Sequence, residues 1–373
     1  MKFKIFYLAL ALLTLTVVQG CGNESSYPES MSREKNSPTA IITAAIAVSD
    51  TYGAEASHNI LNAGGNAVDA AVAAGFTLAV TFIDAGNIGG GGFMTIKMGN
   101  EIAFLDYRET APLTAHKDMY LNEQGDVIDN ITLIGGQAAG VPGTVAGFWK
   151  AHKRYGKLPW KDVMQPAIDL AANGFIPAPI LVNSIHNMKN RFDGKTNFNE
   201  YFNHIASGEV FKQPELAKTL GRIAEFGADD FYRGKTAALI VEEMKRSNGL
   251  ISAEDLDQYS AVWREPVRAN WRDYEIISAP PPSSGGFAIV QLLKMKDYLA
   301  EHFANIDHNS AQYIHLIAEM EKRVFADRAE YLGDPDFFDI DINALINDNY
   351  VSKRAAEVNP KTISSLKSIN PGL

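Results

Sequence analysis

The chain has 373 residues, 46% of them hydrophobic and 21% charged, a globular balance that excludes a disordered or low-complexity chain. Its formal net charge is −10 and it carries no basic tract. Nucleic acid is therefore excluded as a partner, because binding the phosphate backbone needs clustered Lys and Arg.

The amino terminus reads as an export signal. Lys2 and Lys4 precede an apolar run from Ile5 to Val18, which is shorter than a membrane span and matches a signal-peptide core. Gly20 and Cys21 follow. Cys21 is the sole cysteine, so it has no internal disulfide partner. Its place after the apolar run resembles a bacterial lipoprotein site, with Cys21 as the lipidated first residue, although Gln19 is not the small residue usual there. An ordinary secretory signal is the alternative. Residues 1–21 are thus the signal, residues 22–38 a Ser-, Glu-, Asn- and Pro-containing tether, and residues 39–373 the folded part. The expected location is periplasmic or membrane-anchored, with membrane contact only through the lipid.

Ala40–Asp50 is a short apolar run expected as a buried strand. The stretch after it reads as two helices. The first stops at Gly64-Gly65, where glycine takes a left-handed C-cap. The second starts at Asn66, with Asp69 completing a capping box. Its body, Ala67 to Val80, has almost no polar face and is expected to be buried all round. "FMTIKM" and "EIAFLDYR" are two strands joined by Gly99-Asn100, a two-residue hairpin. In that register Met98 faces Glu101, and Arg108 faces Gly91 in the run Gly89–Gly92.

Further helices are expected over Gly140–Gly156, over "WKDVMQPAIDLAANGF" (kinked or divided at Pro166), over "QPELAKTLGRIAEFG" and over "TAALIVEEMKRSNG". Ser252 caps another, and "YEIIS" is a strand leading through prolines into a helix. The last long helix is capped by Ser310, with Ile314, Ile317, Val324 and Phe325 expected on its core side. Strands and helices are interspersed, which indicates an α/β or α+β fold.

Most catalytic signatures fail. The glycine run does not fit G-x-G-x-x-G and leads into a strand, not a helix. The triplets at Gly194 and Gly234 lack the earlier glycine of a phosphate loop, since Lys189 and Asp229 stand there. No G-x-S-x-G or H-E-x-x-H occurs. His302 and His308 read as surface residues, and Ser283 and Ser284 as turn residues. Glu321 and Arg328 read as members of structural ion pairs. No metal or organic cofactor is expected. Arg108 is the exception: a charge ending a half-buried strand beside bare glycine must be compensated. It either pairs with Asp106, Glu109 or another carboxylate, or its planar fork holds a substrate carboxylate.

"GGNAVDAAVAAGFTLAV", "GNIGGGGFM", "LDYRETAP", "GVPGTVAGFWKAHKRYGKLPW", "QPAIDLAANGF", "REPV", "APPPSSGGFAIVQLL" and "FADRAEYLGDPDF" occur in this order from about Thr39 onward. The ordered set resembles the large subunit of a bacterial γ-glutamyltransferase. That resemblance implies an N-terminal nucleophile hydrolase fold, an αββα sandwich of two sheets between helix layers, incomplete without the small subunit. It implies a zymogen that cuts itself into two subunits, and a threonine at the new terminus that attacks the γ-amide of glutathione or related γ-glutamyl compounds. Water or an amino-acid or peptide acceptor then takes the acyl group. It assigns Arg108 to the α-carboxylate of the γ-glutamyl group. The nucleophilic threonine is expected beyond Leu373, so the chain reads as a precursor truncated before its small subunit and inactive alone, with an apolar face left open. Rival readings are a same-fold acylase (a cephalosporin acylase or poly-γ-glutamate depolymerase) and a catalytically dead tethered binding protein.

Overall fold

The computed structural model describes residues 44–373. Cys21, the signal and the tether lie outside the described residues. Of the strand expected over Ala40–Asp50, the described part forms none, and Ala47 and Val48 are exposed. A strand exists only through its ladder, and no described segment pairs with this one.

Helix α1 (Thr51–Asn62) starts at Asp50, whose carboxylate accepts from the Gly53 N–H at 2.7 Å. It ends before Gly64, which takes φ +92°. Helix α2 (Ala67–Thr81) opens on the expected capping box between Asn66 and Asp69. Asp69 is fully buried and also accepts from the Lys157 N–H at 3.0 Å. Val72, Ala73, Phe76 and Val80 of α2 are completely buried, as a helix without a polar face must be.

Strands β1 (Phe93–Met98) and β2 (Glu101–Asp106) form the expected hairpin, with Met98 opposite Glu101 and Phe93 opposite Asp106. A short third strand, β3 (Val262–Arg264), pairs antiparallel with β2. A separate two-stranded ribbon joins β4 (Val267–Trp271) to β5 (Tyr274–Ser278). The interspersed α/β order therefore holds. Among the described residues the two sheets are a three-stranded and a two-stranded piece.

Helix α3 (Thr144–Tyr155) and helix α4 (Trp160–Asn173) pack beside α2. α4 runs through Pro166 as one helix, which removes the second of the two expected forms, a division into a pair. Pro166, midway along the helix, removes a single backbone bond, and Val163, Met164, Ala167 and Ala171 bury around it. Helix α5 (Pro214–Phe226) closes this first core, which is filled by residues such as Phe76, Leu105, Val145, Met164, Leu220 and Ile223.

A second core collects around helix α6 (Gly285–Tyr298), helix α7 (Ala311–Tyr331) and helix α8 (Asp348–Ala356). The inward face of α7 is Leu316, Met320 and Val324, so Val324 is buried as expected and Ile317 packs partly buried against this core, while the other two expected residues do not. Ile314 and Phe325 are each 56% exposed. At about 100° per residue both lie roughly half a turn from Leu316, so one helix side cannot bury all of them. The remaining inward positions of α7 are charged: Glu319, Arg323 and Asp327 are all buried. They hold the segment that follows α8. Glu319 accepts from the Ser364 N–H at 3.0 Å and pairs with Arg323 at 2.7 Å. Asp327 accepts from the Gly372 N–H at 3.1 Å and pairs with Arg354 at 3.1 Å. Among the described residues, no helix is long and apolar enough to cross a membrane.

Candidate active site

The end of β2 is built on an aromatic row. Tyr107 packs edge-on against Phe148 at 5.8 Å between centroids, Phe148 against Phe76 at 5.1 Å, and Phe76 against Trp160 at 5.5 Å. Each such contact contributes about 0.5–1.5 kcal/mol beyond burial, so Tyr107 is a fixed anchor for the residue after it. Burial pushes its phenol up to about 12. Two glycines let the backbone close around this anchor. A Cβ on Gly91 would stand 2.5 Å from the Tyr107 carbonyl oxygen. Gly147 lies against the Tyr107 ring, where any Cβ would overlap it.

The ladder continues past the named strands, since Gly92 and Tyr107 exchange backbone bonds at 3.2 and 3.0 Å. That extends the register to Gly91 opposite Arg108, as its spacing predicts. The Gly90 carbonyl then accepts from the Gly143 and Thr144 N–H groups at the start of α3, at 2.7 and 3.0 Å. The glycine run is thereby tied to a helix N-terminus, whose free N–H groups need acceptors.

Arg108 is exposed, not half-buried. The cost of a buried charge therefore does not arise. Its backbone is fixed on both sides: its N–H donates to Asp106 Oδ1 at 3.0 Å, and Tyr259 Oη donates to its carbonyl at 2.8 Å. Tyr259 stacks on Tyr232 at 5.6 Å, and burial raises its pKa well above the usual phenol value. Among the described residues the Arg108 guanidinium makes no ion pair. Asp106, the partner expected if Arg108 were structural, is taken by Arg264 at 2.7 Å. Arg264 also makes a two-pronged contact with Asp336, at 2.8 and 2.9 Å. These bonds hold Asp336 below the ordinary carboxylate range and raise Arg264 further.

Arg108 lines a cavity of about 290 Å³ with Asp106, Glu109, Arg264, Ser284 and Arg328 among its walls. Arg108, Glu109 and Thr110 also line a second cleft of about 420 Å³, beside Pro112, Met119 and Tyr120. Several of these residues carry no sequence signal of their own. Arg264 ends a strand of only three residues and Asp336 sits in a short proline-containing turn, and a charge is ordinary at either place. Arg328, expected in a structural ion pair, instead donates to Ser284 Oγ at 3.1 Å. Glu321 lies away from it, in a groove with Phe325 and Leu366. Ser284 precedes α6 without capping it, and Ser283 Oγ accepts from the Gly285 N–H at 3.1 Å, a turn role. His302 and His308 are exposed, as expected.

The family model described as Gamma-glutamyltranspeptidase matches residues 53–371. The chain belongs to this family. It is 54% identical over 329 residues to the glutathione hydrolase proenzyme of Pseudomonas aeruginosa, covering 88% of this chain and 59% of that protein. It is 42% identical over 336 residues to the glutathione hydrolase proenzyme of Escherichia coli, covering 88% and 57%. Among solved structures, γ-glutamyltranspeptidase from Pseudomonas nitroreducens complexed with L-DON superposes with a TM-score of 0.87 at 54% identity, over 88% of this chain and 98% of that one. The chain thus spans less than two thirds of the length of these curated relatives. Its mixed helix-and-sheet fold is that of the γ-glutamyltranspeptidases, the N-terminal nucleophile hydrolase type.

Proposed function

We propose that this γ-glutamyltranspeptidase chain supplies the donor-binding half of an enzyme that cleaves the γ-glutamyl amide of glutathione and related compounds. The observation that carries this reading is the freedom of Arg108. It stands exposed at a cavity wall on a rigid strand end while Arg264 satisfies the nearest buried carboxylate. A guanidinium fork so placed matches the α-carboxylate of a γ-glutamyl group, with two parallel N–H···O bonds fixing its orientation.

The chemistry then requires a nucleophile that this reading assigns to the small subunit. A threonine hydroxyl oxygen adds to the γ-carbonyl carbon, the C–N bond breaks, and the amine departs with the proton the hydroxyl gave up. Water or the amine of an amino acid or peptide then attacks the γ-glutamyl ester, which frees the hydroxyl again. The role of this chain is to hold the donor so that the γ-carbonyl carbon meets that oxygen. The signal-like amino terminus supports an exported enzyme, periplasmic or anchored through a lipid on Cys21, and mass spectrometry of the mature amino terminus tests that point.

The function is tested with Arg108→Ala in the assembled enzyme. KM for γ-glutamyl-p-nitroanilide should rise by about tenfold or more, as expected for loss of a charge-assisted pair. Unchanged KM and kcat would remove Arg108 from the donor site.

A further inference from the structure

Three guanidinium groups line the 290 Å³ cavity, and they are not equivalent. Arg264 is saturated: Nε is bound to Asp106, and both terminal nitrogens are bound to Asp336. Arg108 has no carboxylate partner among the described residues. Arg328 has none either, and its single side-chain bond runs from Nε to Ser284 Oγ at 3.1 Å. That bond fixes the guanidinium plane and leaves its two terminal nitrogens free to donate. Arg328 comes from α7, and Ser284 from the turn before α6, so this second cation stands on elements separate from the hairpin that carries Arg108.

The cavity is not a positive basin. Glu109 and Asp334 line it as well, and Asp106 and Asp336 offset Arg264. Setting aside that triad leaves two cations and two carboxylates facing the space. Recognition there must come from individual forks and acceptors rather than from net field. A ligand with two carboxylates separated by an ammonium-bearing carbon chain fits this pattern. A γ-glutamyl peptide ending in a free carboxylate is such a molecule.

We propose that Arg328, oriented by Ser284, is a specificity-determining residue that binds the terminal carboxylate of the peptide leaving group, while Arg108 binds the γ-glutamyl carboxylate. This rests on the γ-glutamyl reading of the Arg108 cavity and adds the substrate class: donors whose amine half is itself a carboxylate. Donors with an uncharged amine half bind through Arg108 alone.

The test compares two donors that differ in one charge, glutathione and its glycinamide analogue, by their KM values in the enzyme assembled with its small subunit, at low ionic strength. KM for glutathione should lie about tenfold below that for the amide, the effect of one charge-assisted pair. Arg328→Met should abolish that preference and leave KM for the amide unchanged. Ser284→Ala should reduce the preference without removing it. Arg108→Met should raise KM for both donors by a similar factor. If Arg328→Met keeps the preference, or raises both KM values alike, while Arg108→Met raises both, the proposal fails and the γ-glutamyl reading survives. If the assembled enzyme turns over neither donor, or Arg108→Met changes neither KM, the γ-glutamyl reading fails too. Circular dichroism of each variant separates lost binding from lost fold, and the exposure of Arg328 makes an intact fold the expected result.

Discussion

Asp106 is bonded to Arg264, 158 positions away in sequence, at 2.7 Å, and not to Arg108 two residues on. The bond ties β3 to β2 and at the same time keeps a nearby carboxylate from competing for the Arg108 fork. Removing Arg264 therefore acts twice. Arg264→Met leaves a nearly buried carboxylate unpaired and should cost about 3 kcal/mol in urea denaturation. It should also raise KM for γ-glutamyl donors in the assembled enzyme, because Asp106 can then turn to Arg108. Arg264→Met combined with Asp106→Asn should recover part of both losses. Simple additivity of the two substitutions would show that the pair is not coupled.

The glycine run makes a sharper prediction, since its members differ. A Cβ at Gly91 meets the Tyr107 carbonyl oxygen and the Glu109 N–H region at 2.5–2.8 Å, whereas one at Gly89 meets nothing within 4 Å. Gly91→Ala should destabilise the hairpin end by about 1–3 kcal/mol and weaken donor binding. Gly89→Ala should be neutral or stabilising by up to about 1 kcal/mol, through a stiffer unfolded chain. Thermal melts of the two variants distinguish these outcomes, and equal effects would contradict the geometry.

Acid should loosen the segment that follows α8. Burial pushes the Glu319 carboxyl up, but bonds from Lys322, Ser364 and Arg323 outweigh it and bring it down to about 2. A carboxyl whose folded pKa lies below its ordinary 4.5 contributes stability above that ordinary value. The contribution is lost as pH falls from about 4.5 toward 2. Urea midpoints should fall across that window, and Glu319→Gln should flatten the fall while lowering stability at neutral pH. Hydrogen exchange at Ser364 should rise first, because its N–H donates to Glu319.

Asp327→Ala should be more damaging than its place on a surface-bordering helix suggests. Its carboxylate is fully buried between Arg354 and the Gly372 N–H. Truncation leaves Glu357 as the one carboxylate partner of Arg354 among the described residues and strands the Gly372 N–H, and a loss of about 1–3 kcal/mol is expected. Limited proteolysis should then cut within residues 359–373. A variant that keeps full protection there would show that the segment is held by other contacts.

Much of this site was legible from sequence, because local rules govern its parts. Gly99-Asn100 sets the hairpin register, and the register puts Gly91 opposite Arg108. The Asn66–Asp69 box starts α2, and small apolar residues predict that it is buried all round. What stayed hidden is non-local. β3 is three residues long and exists only because β2 offers it an edge. The Arg264 contact to Asp106 joins residues no periodicity links. Arg328 reads as a structural ion-pair member until Ser284 is seen beside it. The inward face of α7 was read half correctly for a related reason. Its buried side is partly charged, so hydrophobic pattern alone selected Ile314 and Phe325 along with Ile317 and Val324, and the first two lie on the opposite, exposed face.

The edge-to-face row from Tyr107 through Phe148 and Phe76 to Trp160 has an optical corollary. Edge-to-face chromophores held at 5–6 Å lend one another ellipticity, so the near-ultraviolet spectrum of the protein is sensitive to tilt in any ring of the series. A change at the strand end that bears Arg108 reaches the indole of Trp160 through two phenyl rings. The molecule thus carries a built-in gauge of whether that end is in place, readable without label or ligand.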